Sequence, residues 1–473
     1  MTIRNRFLII TSIFIYSILI LGLTEQTTTA TDQENIEVTV YNSNLGLVKD
    51  IRDIGLDKGK VALRFMDVAS RINPRSVHIK SLSHPDMFSV LEQNYEFDLM
   101  NPSKLMDKYV GKEVKLLRYN EFKDIKEIVI ATLLSNNNNQ PIYKIDDEIY
   151  LGYGGRVILP EIPDNLIARP TLVWFLDNRT NMRHKIQVSY LTYDINWSAD
   201  YVMVVGKDNK TCDINGWVTI NNMSGTTYKD AKLKLIAGEI HRAWEDKRRR
   251  TYAKGMVAEV APPQFKEEEF FEYHIYTLNR RSTLKNNQEK QIQLLESSSV
   301  KIKKELIVYG YQGYYTARYT EKIPKQDVNV FISFINSKDN RMGMPLPEGI
   351  IRLYTPDEEN TLQFIGEDRI EHTPKDEEVR VKVGKAFDVV CERLQSDYDR
   401  ISERTYETEW EISIRNHKKE GVTVSLIEPL FGDWEIISST HSYNKLDAHT
   451  IRFDVSVPSN KEIKVNYRVR VSW

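Results

Sequence analysis

Cysteine is scarce in this sequence: Cys212 and Cys391 are the two thiols in 473 residues. A disulfide-stapled framework is thereby excluded, and redox or Cys-metal chemistry has little support. The pair permits one disulfide or two free buried thiols. An excess of one charge is missing too, with 65 basic against 67 acidic residues, which argues against a nucleic-acid partner. No sustained helical period follows the first thirty residues, and no strands alternate with dozen-residue helices, which excludes most α/β folds. Catalytic signatures are also lacking: there is no Gly-x-Ser-x-Gly elbow, no His-Glu-x-x-His pair and no calcium-loop spacing.

What is present begins with export chemistry. Arg4 and Arg6 precede the uncharged run "FLIITSIFIYSILILGL", Phe7 to Leu23, in the order of a secretory signal. Thr28 and Ala30 make the bond after Ala30 the best cleavage candidate, so residues 1–30 read as a signal peptide, with an uncleaved membrane anchor as the alternative. No cysteine follows the run, which disfavours a lipoprotein. Removing residues 1–30 leaves 63 basic against 66 acidic residues, still close to balance.

The remainder reads as strands. "IEVTVYNSNLGLVKDIRDIGLDKGKVALRFMDVA" alternates apolar and polar residues between turn signals and opens a β domain over residues 31–100. "NPSKLMDKYVGK" predicts a short helix, with Asn101 as cap, Pro102 in the first turn, and Leu105, Met106 and Tyr109 on one face. Short strands follow to Pro163, so residues 101–165 predict a small β-barrel-like insert, in which "GYGG" forms a hairpin. Residues 166–350 predict a central sandwich: "HKIQVSYLTYDINWSADYVMVV" places Ile186, Val188 and Tyr190 on one face and, after a turn, Tyr201, Met203 and Val205 on one face. Residues 241–270 lose this period and carry Lys247 to Arg250 before Glu267 to Glu269, the pattern of a disordered, self-neutralising loop. Residues 351–473 predict a second sandwich, in which "EWEISIRN" and "KVNYRVRVSW" direct Trp410, Ile412, Ile414, Val465, Tyr467, Val469, Val471 and Trp473 inward. The fold class is therefore all-β and multi-domain: antiparallel Ig-like β-sandwiches, a small barrel-like insert and one short helix.

The runs "YLTYDINWSADYVMVV", "GWVTINNMSGTTYKDAKLKLIAGEIHR", "MGMPLPEGIIRLYTPDE" and the closing "YRVRVSW" resemble a family of exported bacterial proteins known as a domain of unknown function. The likeness extends to the C-terminal part of proteins labelled mucoidy inhibitor A and covers roughly Thr171 to Trp473. It implies an all-β, extracytoplasmic protein and transfers no catalytic residue.

Each candidate site residue also has a structural role open to it. Trp217, Val218 and Ile220 fit a buried strand, and Asn221, Asn222 and Ser224 a turn bonded to its own backbone, with sugar or metal binding as the alternative. The nine histidines show no zinc spacing and read as solvated loop residues, although His441 and His449 flank a predicted hairpin. Asp357, Glu358, Glu367, Asp368, Glu371 and Asp376 could supply calcium ligands or the carboxylate pair of an envelope hydrolase, but as loop charges between strands they read as solvated. "GYQGYYTARY" offers Tyr314 and Tyr315 for stacking on sugars, with core packing as the alternative. The expected function is a non-enzymatic, exported cell-envelope scaffold that meets a protein or a glycan. A carbohydrate-binding module is the second reading and a hydrolase the third. No cofactor is expected, and membrane contact is expected only if the N-terminal run is retained.

Overall fold

The computed structural model describes residues 24–98, 100–120, 125–163, 169–238 and 264–473. The export run and the basic cluster at 247–250 lie outside them, whereas Glu267 to Glu269, expected in a disordered loop, lie on the strand Phe265–Phe270, paired with Tyr273–Leu278. The chain divides into two compact units: residues up to Ile36 with Val48–Leu191, and Glu37–Leu47 with Thr192–Trp473. Strands dominate both, as the alternating sequence requires, and no sheet closes on itself.

In the first unit a four-stranded sheet runs in the order Thr24–Thr28, Gly59–Met66, Thr171–Asn178, Phe88–Glu96. Trp174 and Phe65 are fully buried and meet edge to face at 5.8 Å. Thr24–Thr28 pairs in parallel with Val61 to Phe65. A capping box follows it: the Thr29 hydroxyl accepts from Thr31 N, and Thr29 N donates to Asp32 Oδ2 at 3.0 Å. The bond after Ala30 thus falls just past a strand built into this sheet.

The insert contains the expected helix, Pro102–Lys108, capped by the Asn101 side chain, which accepts from Lys104 N at 2.9 Å. Its strands form an open five-stranded sheet, not a barrel, in the order Glu148–Leu151, Ile142–Ile145, Ile125–Ser135, Glu113–Asn120, Arg156–Ile158. "GYGG" is correspondingly not a hairpin. It carries the chain from one edge of this sheet to the other, because Arg156–Ile158 pairs with Lys115 to Leu117 and not with the strand before the turn. Gly155 is required there, since a Cβ would overlap the Leu117 carbonyl.

The second unit contains two sandwich layers of sheet. In the first, strands Gln288–Lys301, Thr211–Asn222, Ile195–Val205, Gly349–Pro356 and Leu362–Ile370 lie in that order. This sheet packs on one that includes Tyr228–Ala237 and Tyr273–Leu278: Trp197 Nε1 donates to Ile236 O at 3.1 Å and its ring meets Tyr276 at 6.1 Å. In the second sandwich, Val389–Arg400, Thr405–Asn416, Lys461–Ser472 and Asp433–Ser439 face a sheet that includes Lys303–Tyr309, Val422–Pro429 and Thr450–Val457. Trp410, Ile412, Ile414, Val465, Val469 and Val471 are fully buried between them with Val424, Leu426 and Phe453. Each contributes on the order of 1.5–3 kcal/mol through burial. Antiparallel pairing prevails, but Ile195–Val205 runs parallel to Gly349–Pro356, and Lys303–Tyr309 runs parallel to Val422–Pro429. Trp473 departs from expectation: it is about half exposed, stacked on Tyr406 at 5.2 Å beyond the end of its strand.

Candidate interaction surfaces

Trp217 is the main residue whose orientation the sequence misjudged. Val218 and Ile220 point into the sandwich as expected, but Trp217 lies on the outer face of its sheet, 37% exposed. The strand alternates without a break from Thr211 to Asn222, so Trp217, between the inward Gly216 and Val218, faces out; the bulge beside it belongs to the partner strand, where Leu294 is the extra residue. Gly216 faces inward, where a Cβ would press on Leu295 Cγ at 2.9 Å. Asp200 and Gln293 stand opposite Trp217 on the neighbouring strands. Around the indole, Thr219 Oγ1 donates to Asp200 Oδ2 at 3.0 Å, Gln291 Nε2 donates to Thr219 Oγ1 at 3.2 Å, and Arg352 Nη1 donates to Asp200 Oδ1 at 3.2 Å. Arg352 also reaches Glu367 at 3.4 Å. The result is a flat apolar plate surrounded by amides, hydroxyls and ion pairs on an open sheet.

The neighbouring turn serves cohesion. Asn222 is buried and donates to the carbonyls of Thr226, Leu284 and Lys285, while its Oδ1 accepts from Ser224 N and Ser224 Oγ. That is the backbone role expected of a turn asparagine.

The acidic segment is likewise engaged. Asp357 accepts from Glu359 N, Thr361 N and Gln363 Nε2, and these bonds, the one from Gln363 foremost, hold its carboxyl below the ordinary range. Asp368 accepts from Arg369 N and Lys382 N. No group of three His, Cys, Asp or Glu suited to a metal occurs among the described residues.

Both cysteines are free and buried, and burial raises each thiol to about 12. His184 is not a loop histidine: it is fully buried, bonded through Nδ1 to Ser81 Oγ at 3.1 Å and edge-on to His84 at 5.5 Å. Burial, with His84 beside it, lowers its pKa. Its place in "RHKIQVSY", in phase with Ile186 and Val188, is the signal that could have found it.

The tyrosines proposed for sugar stacking are divided. Tyr315 is fully buried, and Tyr314 packs on Trp410 at 5.3 Å. Tyr315 belongs to a closed ionic cluster that sequence reading missed altogether. Arg393 and Glu428, both fully buried, form a two-pronged ion pair; Tyr315 OH donates to Glu428 Oε2 at 2.6 Å, and Arg393 Nη1 donates to Tyr467 OH at 3.1 Å. Gly310 makes room for it, because a Cβ there would overlap the Glu428 carboxylate.

One groove of about 630 Å³ lies in the insert. Pro102, Leu105 and Met106 of the helix form one wall, with Tyr143, Val157 and Leu159 opposite. Its polar rim is self-paired: Ser103 Oγ donates to Asn139 Oδ1 at 2.5 Å, and Asn136 Nδ2 donates to Asp107 Oδ1 at 2.8 Å.

Fold and surfaces together define an all-β protein of stacked, open sheets. Residues 186–473, well over half of the chain, match the family described as Domain of unknown function (DUF4139). The chain belongs to that family. A comparison with curated proteins finds no match.

Proposed function

We propose that this protein is an exported, non-enzymatic scaffold of the cell envelope whose family-matched part holds a glycan strand on the Trp217 sheet face. The carrying observation is the outward Trp217 ring among Asp200, Thr219, Gln291 and Arg352. An indole plate stacks on the C–H face of a sugar ring, while flanking amides and carboxylates meet its hydroxyls. A flat sheet suits a polymer rather than a small molecule, which would need a concave site. Export is supported by the Arg4, Arg6 and Phe7 to Leu23 pattern. A glycan array tests the reading. Binding that weakens about tenfold or more in Trp217→Ala, near 1.4 kcal/mol, is the expected result. Unchanged binding by the variant, or a specific protein captured by crosslinking with no glycan bound, overturns it.

A further inference from the structure

Among the described residues, the core of the insert lies on one face of its sheet. Val114, Leu116, Ala131, Leu133 and Tyr143 point to the helix side and form the insert's small core with Tyr109. An antiparallel sheet with one solvated face should be polar on that face. Here it is aliphatic: Leu151 is 85% exposed, Ile149 65%, Ile130 61% and Ile128 58%, with Ile158 beside them. Strand register places these residues together. Ile130 stands opposite Lys115, Ile158 opposite the same lysine on its other side, and Ile149 opposite Lys144. Arg156, opposite Leu117, and Lys126, opposite Tyr119, complete a set of four cations interleaved with the aliphatic side chains, against Glu113 at the margin and Asp147, 3.8 Å from Lys144. None of the five aliphatic residues belongs to the core that holds the insert together. Exposed aliphatic residues in this density mark a docking surface.

Charge selects the occupant. A second copy stacked face to face would set Lys115, Lys144 and Arg156 against themselves, and like charges across an interface are unfavourable. An anionic surface complements them, and aliphatic side chains between cations are the composition that settles at the boundary between lipid headgroups and acyl chains. The chain adds a geometric argument. The uncharged run Phe7 to Leu23 ends where Thr24–Thr28, a strand of this same unit, begins, so a retained run leaves no slack between the bilayer and the unit that carries the insert.

We propose that the outer face of the insert's five-stranded sheet docks on the surface of an anionic phospholipid bilayer. This goes beyond the glycan reading and does not depend on it. Leu151→Cys supplies a probe site at the most exposed position, and the buried Cys212 and Cys391 leave it the reactive thiol. The full chain, labelled there with an environment-sensitive fluorophore, is reconstituted into vesicles of phosphatidylcholine alone or mixed with phosphatidylglycerol, each with brominated acyl chains as quencher. Any embedded N-terminal run is then common to both samples, and the label reports the insert alone. Docking gives several-fold stronger quenching in the anionic vesicles. That gain disappears in high salt and in the triple variant Lys115→Gln, Lys144→Gln, Arg156→Gln, which circular dichroism shows to be folded, while Trp217→Ala leaves it unchanged. Equal quenching in the two vesicle types overturns the proposal. So does a blue shift that needs no vesicles and grows with protein concentration, which would assign the face to a second copy.

Discussion

At the scale of single residues, the most consequential finding is the closed cluster around Arg393. Burial works against its charge, and the Glu428 carboxylate, with the Tyr467 and Tyr315 hydroxyls, more than compensates, so the guanidinium stays protonated. Removing one partner strands the other in the core. Glu428→Gln is therefore expected to lower stability by about 3 kcal/mol or more in urea titrations, while the double change Arg393→Met, Glu428→Met recovers much of that loss. A second test concerns Glu392, which is held by Arg415 at 2.8 Å and by Lys322 and lowered to about 2, the Arg415 bond first among the causes. A glutamate whose folded pKa is depressed stabilises the fold above its unfolded value of about 4.3 and loses that contribution as pH falls through the folded value. The wild type should thus lose more stability than Glu392→Gln between about pH 4.3 and 2, as read by thermal melts across that window. At this scale the sequence was legible where neighbours alternate cleanly: Val465, Val469 and Val471 are buried as read. It failed at Trp217, because a tryptophan beside Val218 looks like core from composition alone, whereas alternation puts neighbours in a strand on opposite faces.

Among elements, the strand Thr24–Thr28 bears on maturation. Its five residues pair along Val61 to Phe65, Gln26 Oε1 accepts from Asp57 N at 3.3 Å, Glu25 lies 3.3 Å from Arg64, and Thr28 is buried. Cutting after Ala30 would discard all of this. A chain beginning at Thr31 is expected to melt several degrees below one beginning at Thr24, and N-terminal sequencing of the protein isolated from cells should return residues upstream of Thr28. Recovery of a stable species starting at Thr31 would refute this. Local signals sufficed for the helix Pro102–Lys108, where cap, proline and apolar face agree. They could not show that "GYGG" crosses the sheet or that Lys303–Tyr309 pairs in parallel with Val422–Pro429, because these pairings join segments about forty and more than a hundred residues apart and leave no periodicity of their own.

For the whole molecule, alternation alone predicted stacked sheets, and stacked sheets are found. Function was far less legible. Both surfaces argued above consist of residues with the usual strand pattern, and what marks them is the side of the sheet they occupy, which depends on packing. Deleting Lys461 to Trp473 removes a strand that lies between Thr405–Asn416 and Asp433–Ser439 and contributes Val465, Tyr467, Val469 and Val471 to one core. The shortened chain should be insoluble, or should lose the near-ultraviolet signal of that sandwich, in place of a mild drop in melting temperature.

The central place of that strand also dictates an order of events. Thr405–Asn416 and Asp433–Ser439 leave the ribosome before their shared partner exists, so until residues 461–472 follow, each offers an unsatisfied row of backbone donors and acceptors. A nascent chain therefore stays sticky along that seam until residues 461–472 emerge, and yield in the cell will track the holding chaperones that shield it.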